Sequence, residues 1–510
     1  MAISGALPEL VSPSPTPQPR FRYLWFMKNL LRLILVVAFV PACETEGGSF
    51  PGGADSQRGR PGAQSAAEAS PPTDPGADAE IAPDAMNPPD AMNPPDAANP
   101  AEPDIPPEGG AAQPTATQDP PERDFFLFER PETVRGLYVN SWSAGSRRRL
   151  AALIALADST EINSFVIDIK DASGYVSHPS EVRLARDIGA TGEIRIPSLS
   201  YLLGKLEEAG IYPIARIVIV KDPLLAAARP DLAVQDTAGG VWVDGKGIVW
   251  MNPYQREVWD YHVALAREVA SWGFPEIQWD YVRFPDAPAS EIGRTHFPGD
   301  NGQSKAEAIR DFLAYSRDGL ADMGVRVTAD VFGVTTSATR DVGIGQVWES
   351  FIDVVDVALP MVYPSHYWKG SFGIDTPNAY PYEIVRSALE EALKRSAEMP
   401  GAGATRPWLQ DFTLGKPRYG AAEVRAQIQA TYDVGIDEWI LWNPGSRYTA
   451  EALEPLNGFA EEPLVRIANE LIPVSRRFEL YDTTTVIVGE DPPEGSEGTP
   501  AGKKGNPPRR

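Results

Sequence analysis

Between about residue 135 and residue 443 the chain repeats one pattern eight times: a short, β-branched apolar run, then a helical stretch. The runs are "GLYVNSW" (136–142), "SFVIDIK" (164–170), "YPIARIVIV" (212–220) and "EIQWDYV" (276–282), then "VRVTADVFG" (325–333), "DVALPMVY" (356–363), "RPWLQDF" (406–412) and "EWILWN" (438–443). Helical patterns fall at 147–158, 197–209, 255–272, 304–322, 381–396 and 420–432, with a short one near 345–351. In 255–272, Val258, Tyr261, Leu265 and Val269 recur at helical spacing. Runs this continuously apolar need cover on both faces, which parallel pairing with crossover helices supplies. Eight units over roughly 310 residues favour an α/β fold of the closed (β/α)8 TIM-barrel type over an open sheet. No Gly-rich dinucleotide turn follows the first run to support the open alternative. A closing helix and a final strand near 477–488 are expected after the eighth run.

What precedes the barrel region is of another kind. From Glu44 to Arg123 there are fifteen acidic and three basic residues, so this segment carries about half of the net charge of −24. "DAMNPP" occurs there twice in tandem, at 84–89 and 90–95. Such a segment cannot bury enough apolar surface to offset its chain entropy, and proline with like charge keeps it extended. We read 44–124 as a disordered, acidic Pro/Ala/Asp-rich linker, 125–475 as the barrel, and 476–510 as a mostly disordered C-terminal extension. Eleven of the twelve tryptophans lie in the barrel region. The acidic balance argues against a nucleic-acid partner, which favours basic patches.

The single cysteine, Cys43, ends "MKNLLRLILVVAFVPAC". A basic start, an apolar run too short to span a bilayer and small residues before the cysteine form an export signal. Residues 1–43 thus resemble a bacterial lipoprotein signal region with lipidation at Cys43, Met27 being the natural start. A plain secretory signal with an incidental cysteine is the alternative. The lipoprotein reading puts the folded part outside the cytoplasm, tethered to a bacterial membrane.

In a barrel of this type, active-site groups sit at the C-terminal strand ends. Asp168, Lys170 and Asp171 end the second run, Lys221 and Asp222 the third, Asp280 and Arg283 the fourth, and Asp330 the fifth. Tyr363, Ser365 and His366 end the sixth, Gln410 and Asp411 the seventh, Trp442 and Asn443 the eighth. The opposite ends hold fewer charges. Asp168 and Lys170 share a strand face, so they bind a ligand or neutralise one another. Arg216 lies mid-strand and needs an anion, with Asp280 the obvious candidate; that pair suits either a charge stabiliser or a structural ion pair. Paired carboxylates across a cleft are the apparatus of glycoside hydrolysis, and Asp280 and Asp330 end adjacent strands. The connection 221–254 contains "GGVWVDGKGIVWMNP", which reads as a hairpin placing Trp242 and Trp250 over the mouth as sugar platforms, with Trp368 similar. With four histidines and no paired Cys or His spacing, neither a metal nor another cofactor is expected.

"GLYVNSWSAGS", "FVIDIKDASGYV", "ARIVIVKDPLLA", "MNPYQREVWDY", "EIQWDYVRFP", "ADVFGVTTSA", "PMVYPSHY" and "RPWLQDF" together resemble the putative glycoside hydrolase domain family of bacterial surface and secreted proteins. The resemblance covers roughly 130–455 and implies a TIM barrel distantly related to the α-amylase-like enzymes, acting on poly- or oligosaccharide. It implies a nucleophile at Asp280, an acid/base at the place of Asp330 and a third carboxylate at Asp411. Those enzymes carry Glu where this chain has Asp330, and Arg where it has Gln278. The expectation is a glycosidase with catalytic Asp280 and Asp330. Asp168, Lys170, Arg216, Trp242, Trp250, Arg283, Tyr363, His366, Asp411, Trp442 and Asn443 are expected to shape its substrate site. The alternative is a non-catalytic barrel that binds glycan at the surface.

Overall fold

The computed structural model describes residues 126–484. The signal region, Cys43, the linker 44–124 and the end of the C-terminal extension lie outside the described residues.

All eight apolar runs form strands: β1 Arg135–Val139, β2 Ser164–Lys170, β3 Tyr212–Val218, β4 Glu276–Asp280, β5 Arg326–Phe332, β6 Val357–Met361, β7 Trp408–Gln410 and β8 Trp439–Trp442. Every pairing among them is parallel, in chain order, and β8 returns to pair with β1. The ring closes between β6 and β7 through Met361 with Trp408, and the short strand Ala404–Thr405 just before β7 pairs with β6 at Val357 and Ala358. The sheet is therefore a closed (β/α)8 barrel.

Crossover helices follow in step: α1 Arg147–Ala157, α2 Leu199–Glu208, α3 Arg256–Trp272, α4 Lys305–Leu320, the short α5 Trp348–Phe351, α6 Pro381–Ala397 and α7 Ala421–Asp433. Their starts follow from local chemistry. Ser146, Ser198 and Ser304 accept backbone N–H groups at the first turns of α1, α2 and α4, and Ser304 with Glu307 completes a reciprocal box. Gly273 ends α3 at φ +114°, a conformation that suits glycine. After β8 an antiparallel pair, Leu464–Ile467 with Glu470–Pro473, packs on α6 and α7. The strand expected near 477–488 is a helix over Arg477–Thr484.

Two apolar cores result from the period-2 alternation of the strands. Odd-numbered β2 residues such as Phe165 and Ile167 face the helices. Tyr138, Val166, Ile214, Leu359, Trp408 and Ile440 pack with one another inside the barrel. The N-terminal end of that interior carries more charge than the sequence reading expected. Arg406 Nη1 lies 2.6 Å from Glu276 Oε1 and its Nε 2.9 Å from Glu438 Oε2, and Arg130 also pairs with Glu438. These groups neutralise one another and floor the barrel.

Candidate active site

At the opposite end, the inward columns of β2 to β5 finish in Asp168, Arg216, Asp280 and Asp330, each at most 5 % exposed. One guanidinium organises the three carboxylates. Arg216 Nη1 donates to Asp168 Oδ1. Its Nε, at 3.0 Å, and its Nη2 both donate to Asp280 Oδ2. The same Nε lies 3.9 Å from Asp330 Oδ2.

Three buried carboxyls around one cation cannot all ionise without cost, and their environments differ. Burial pushes Asp168 up to about 6, helped by the charge of Asp171 and opposed by Arg216 and the Tyr138 hydroxyl. Burial and then the charge of Asp280 hold Asp330 well above the usual carboxylate range, against Arg216, Trp408 and Gln278. Burial works against the charge of Arg216, but Asp280 and Asp168 outweigh it and keep the guanidinium protonated.

The turn after β4 explains how Asp280 is presented. Tyr281 has φ +52°, which bulky residues rarely adopt, and its N–H donates to Asp280 Oδ1 at 2.5 Å. The chain thus folds back over its own carboxylate. Asp330 is held differently, with Gln278 Nε2 (2.8 Å) and Trp408 Nε1 (2.7 Å) both donating to Oδ1. The strained turn and these two donors leave Asp280 and Asp330 side by side, the first wholly engaged and the second with Oδ2 toward Arg216.

Three cluster members escaped the sequence reading as site residues. Tyr138 donates its hydroxyl to Asp168 Oδ2. Trp408 and Gln278 are the donors to Asp330. Their signal was strand parity, since each lies on an inward column. Trp442, which was expected, is half-buried and stacks on Tyr138 at 4.0 Å, with Arg216 5.2 Å from its ring. Tyr363 is buried, and burial with the charges of Asp330 and Asp280 raises its hydroxyl well above the ordinary tyrosine value. His366 lies edge-on to Tyr363 at 5.3 Å, with Nδ1 2.9 Å from Ser365 Oγ. A small recess opens beside it, lined by Gly333, Val334, Met361, His366 and Tyr367. Trp368 packs, half-buried, against the inner core.

Other expected residues are placed elsewhere. On β2 the register shifts between Asp168, opposite Arg216, and Lys170, opposite Ile217. That irregularity turns Lys170 out of the inward column. Its Nζ lies 3.0 Å from Asp222 Oδ2 and donates to the Val218 carbonyl, with both side chains fully buried. Trp242 and Trp250 are buried, not exposed platforms. The 233–251 segment does pair with itself, through Gln235–Val241 and Val243–Val249, but it folds those rings inward. Trp250 packs near Tyr281, and Arg283 stands 5.1 Å from the Trp250 ring while pairing with Asp286 at 2.8 Å. Asp411 gives both oxygens to Thr449, whose N–H and hydroxyl reach it at 2.8 and 2.7 Å. Asn443 Nδ2 donates to the Asp411 carbonyl, while its Oδ1 accepts from Gly445 N. Both therefore brace the loop after β8 rather than join the cluster. Among the described residues, no three His, Cys, Asp or Glu side chains are arranged to hold a metal ion.

Comparison with known proteins places this architecture. The chain has no match among curated proteins. A hypothetical protein from Ruminiclostridium thermocellum is 39 % identical over 38 % of this chain and 97 % of its own, with a TM-score of 0.35. The PgaB (BpsB) glycoside hydrolase domain of Bordetella bronchiseptica is 14 % identical over 62 % of this chain and 95 % of its own, with a TM-score of 0.45. TtGalA, an alpha-galactosidase from Thermus thermophilus, is 14 % identical over 69 % of this chain and 68 % of its own, with a TM-score of 0.38. The family described as "Putative glycosyl hydrolase domain" matches residues 136–448, which hold all eight strands and the whole Arg216 cluster. The chain belongs to that family of glycosyl hydrolases.

Proposed function

We propose that this barrel cleaves a glycosidic bond in a poly- or oligosaccharide, with Asp330 as general acid/base and Asp280 as nucleophile. The observation that carries the reading is the unequal treatment of two neighbouring carboxyls. Asp330 is held above its usual range by burial and by Asp280, so it keeps a proton to give. Asp280 is aimed by two Arg216 N–H groups and by the Tyr281 N–H. Carboxyls with such divided environments are the pattern of acid and nucleophile in glycosidases.

The chemistry then balances in two steps. Asp330 protonates the glycosidic oxygen as the bond to the anomeric carbon breaks, and an Asp280 oxygen forms a bond to that carbon. Water, deprotonated by the Asp330 carboxylate, next displaces Asp280 and restores both groups. Asp280 Oδ2 and Asp330 Oδ2 lie 3.0 and 3.9 Å from one nitrogen, a closeness compatible with the retaining arrangement written here, whose carboxyls stand about 5–5.5 Å apart. Arg216 orients Asp280, and Asp168 with Tyr138 orients Arg216.

The test is a defined glycan panel with mass-spectrometric product detection, on the wild type, Asp280→Asn and Asp330→Asn. Each variant should lose most turnover while its circular dichroism stays unchanged; full activity in either refutes the assignment. The second reading, glycan binding without cleavage, draws on the near-complete burial of the cluster, and would show saturable binding with no product from any variant.

We also infer that the mature chain starts at Cys43, lipid-anchored outside the cytoplasm with 44–124 as spacer, on the strength of its signal-like sequence. Cys43→Ala should leave the membrane fraction, and its retention there would refute the anchor.

A further inference from the structure

The rim of the barrel above β1 and β2 carries an aromatic that the cluster does not use. Trp142 sits in the short helix Ser141–Gly145, directly after β1, and is 45 % exposed. An exposed indole is ordinarily free to move, but this one is backed by a fixed cation. The Arg195 guanidinium lies 5.3 Å from the Trp142 ring and 5.8 Å from that of Tyr175. Arg195 is itself 7 % exposed and fully engaged. Its Nε donates to Glu193 at 2.7 Å, Nη1 to Ser141 and Asp171, and Nη2 to Ser173 at 3.0 Å. The Arg195 backbone also presses on the rim helix, since a Cβ on Gly145 would stand 1.7 Å from the Arg195 carbonyl oxygen. The ring is thus held in place, with one side against protein and the rest toward water.

Its position continues the cluster. Tyr138 on β1 and Asp168 on β2 form the inner pair, and Trp142 and Asp171 follow them by four and three residues on the same two strand ends. The rim beside the ring offers oxygen acceptors: the side chains of Asp171 and Glu193 are 27 % and 42 % exposed. With every Arg195 nitrogen already occupied, Asp171 and Glu193 leave this edge a set of hydrogen-bond acceptors.

We propose that Trp142 is the stacking face of an outer subsite, taking a sugar of the same chain that the carboxylates cut, several residues from the scissile bond. The inference rests on the glycosidase reading and deepens it: the substrate is an extended glycan, neutral or amine-bearing, not a uronate. A flat, pre-oriented ring gives contact area at little cost in conformational freedom. Flanking carboxylates then bind hydroxyl or ammonium donors.

The experiment measures binding by calorimetry to the full chain carrying Asp280→Asn, which removes turnover. The probes are cellohexaose, maltohexaose, chitohexaose and a glucosamine hexasaccharide, each beside its disaccharide, and hexagalacturonate. At least one of the four neutral or amino hexasaccharides should bind. Adding Trp142→Ala should weaken that one about tenfold, the loss expected for one aromatic contact, and leave its disaccharide unchanged. Trp142→Tyr, which keeps a ring, should restore most of the affinity and excludes misfolding as the cause. The proposal is overturned if no hexasaccharide binds, if Trp142→Ala leaves their affinities unchanged, or if hexagalacturonate binds best. Trp142-dependent binding without product from the wild type would instead refute hydrolysis and leave the outer subsite standing.

Discussion

Replacing Asp168 by Asn should make the folded state less sensitive to pH, in a direction set by how that carboxyl is buried. Its side chain is held between the Tyr138 hydroxyl and Arg216 Nη1, at 1 % exposure. Burial outweighs both partners and raises it from 3.8 to about 6. A carboxyl whose folded value lies above its unfolded value favours folding fully below the unfolded value. That contribution is lost as pH rises through the folded one, because the unfolded chain ionises first. The span from 3.8 to about 6 corresponds to about 3 kcal/mol lost by the wild type between pH 4 and pH 8. The amide of Asn mimics the protonated carboxyl at every pH and does not pay this. Urea unfolding of the two proteins in parallel isolates the effect, since other raised carboxyls cancel in the difference. Near pH 4 the two should agree within about 1 kcal/mol, and by pH 8 the variant should gain about 3 kcal/mol on the wild type. A difference that is the same at both pH values would refute the burial argument for Asp168.

Two further outcomes test the rest of the cluster. Arg216→Met strands three buried carboxyls and should cost about 3–5 kcal/mol in urea unfolding, so a loss under 1 kcal/mol would mean that the guanidinium does not organise them. With Asp330 as the acid, kcat/KM should fall as pH rises through its raised value. Trp408→Phe removes a donor that lowers that value, so the falling limb should move to higher pH, and an unmoved limb would take the acid role from Asp330.

The barrel was legible because parallel strands covered on both faces leave unbroken apolar runs, and all eight were placed within a few residues. Arg216 and Asp280 were legible as partners, since a charge on an inward column has few places to find its counter-ion. What sequence did not carry was anything set by a break in regularity. The β2 register shift that swings Lys170 to Asp222 leaves no mark in "SFVIDIK". The tryptophans of 221–254 had the composition of a platform, but composition does not say which way a ring turns. Asp411 fell at the expected strand end, while its partner Thr449 lies thirty-eight residues on, beyond any local pattern. Arg477–Thr484, expected as part of a strand, is a helix, a choice that β-propensity is too weak to decide.

Beside the β2–β3 join, with six register pairs, the β6–β7 join is thin: Met361 with Trp408, and Val357 and Ala358 with Ala404 and Thr405 just before β7. A join of three pairs opens more readily than one of six, so amide exchange should run faster at Met361 and Trp408 than between β2 and β3; equal protection would count against this. Trp408 brings its indole from that join to Asp330. A parting of the ring there would withdraw this donor from Asp330, the acid of the proposed mechanism, and raise its hold on its proton. On that assignment, breathing at one seam and the readiness of the acid to let go would be the same event.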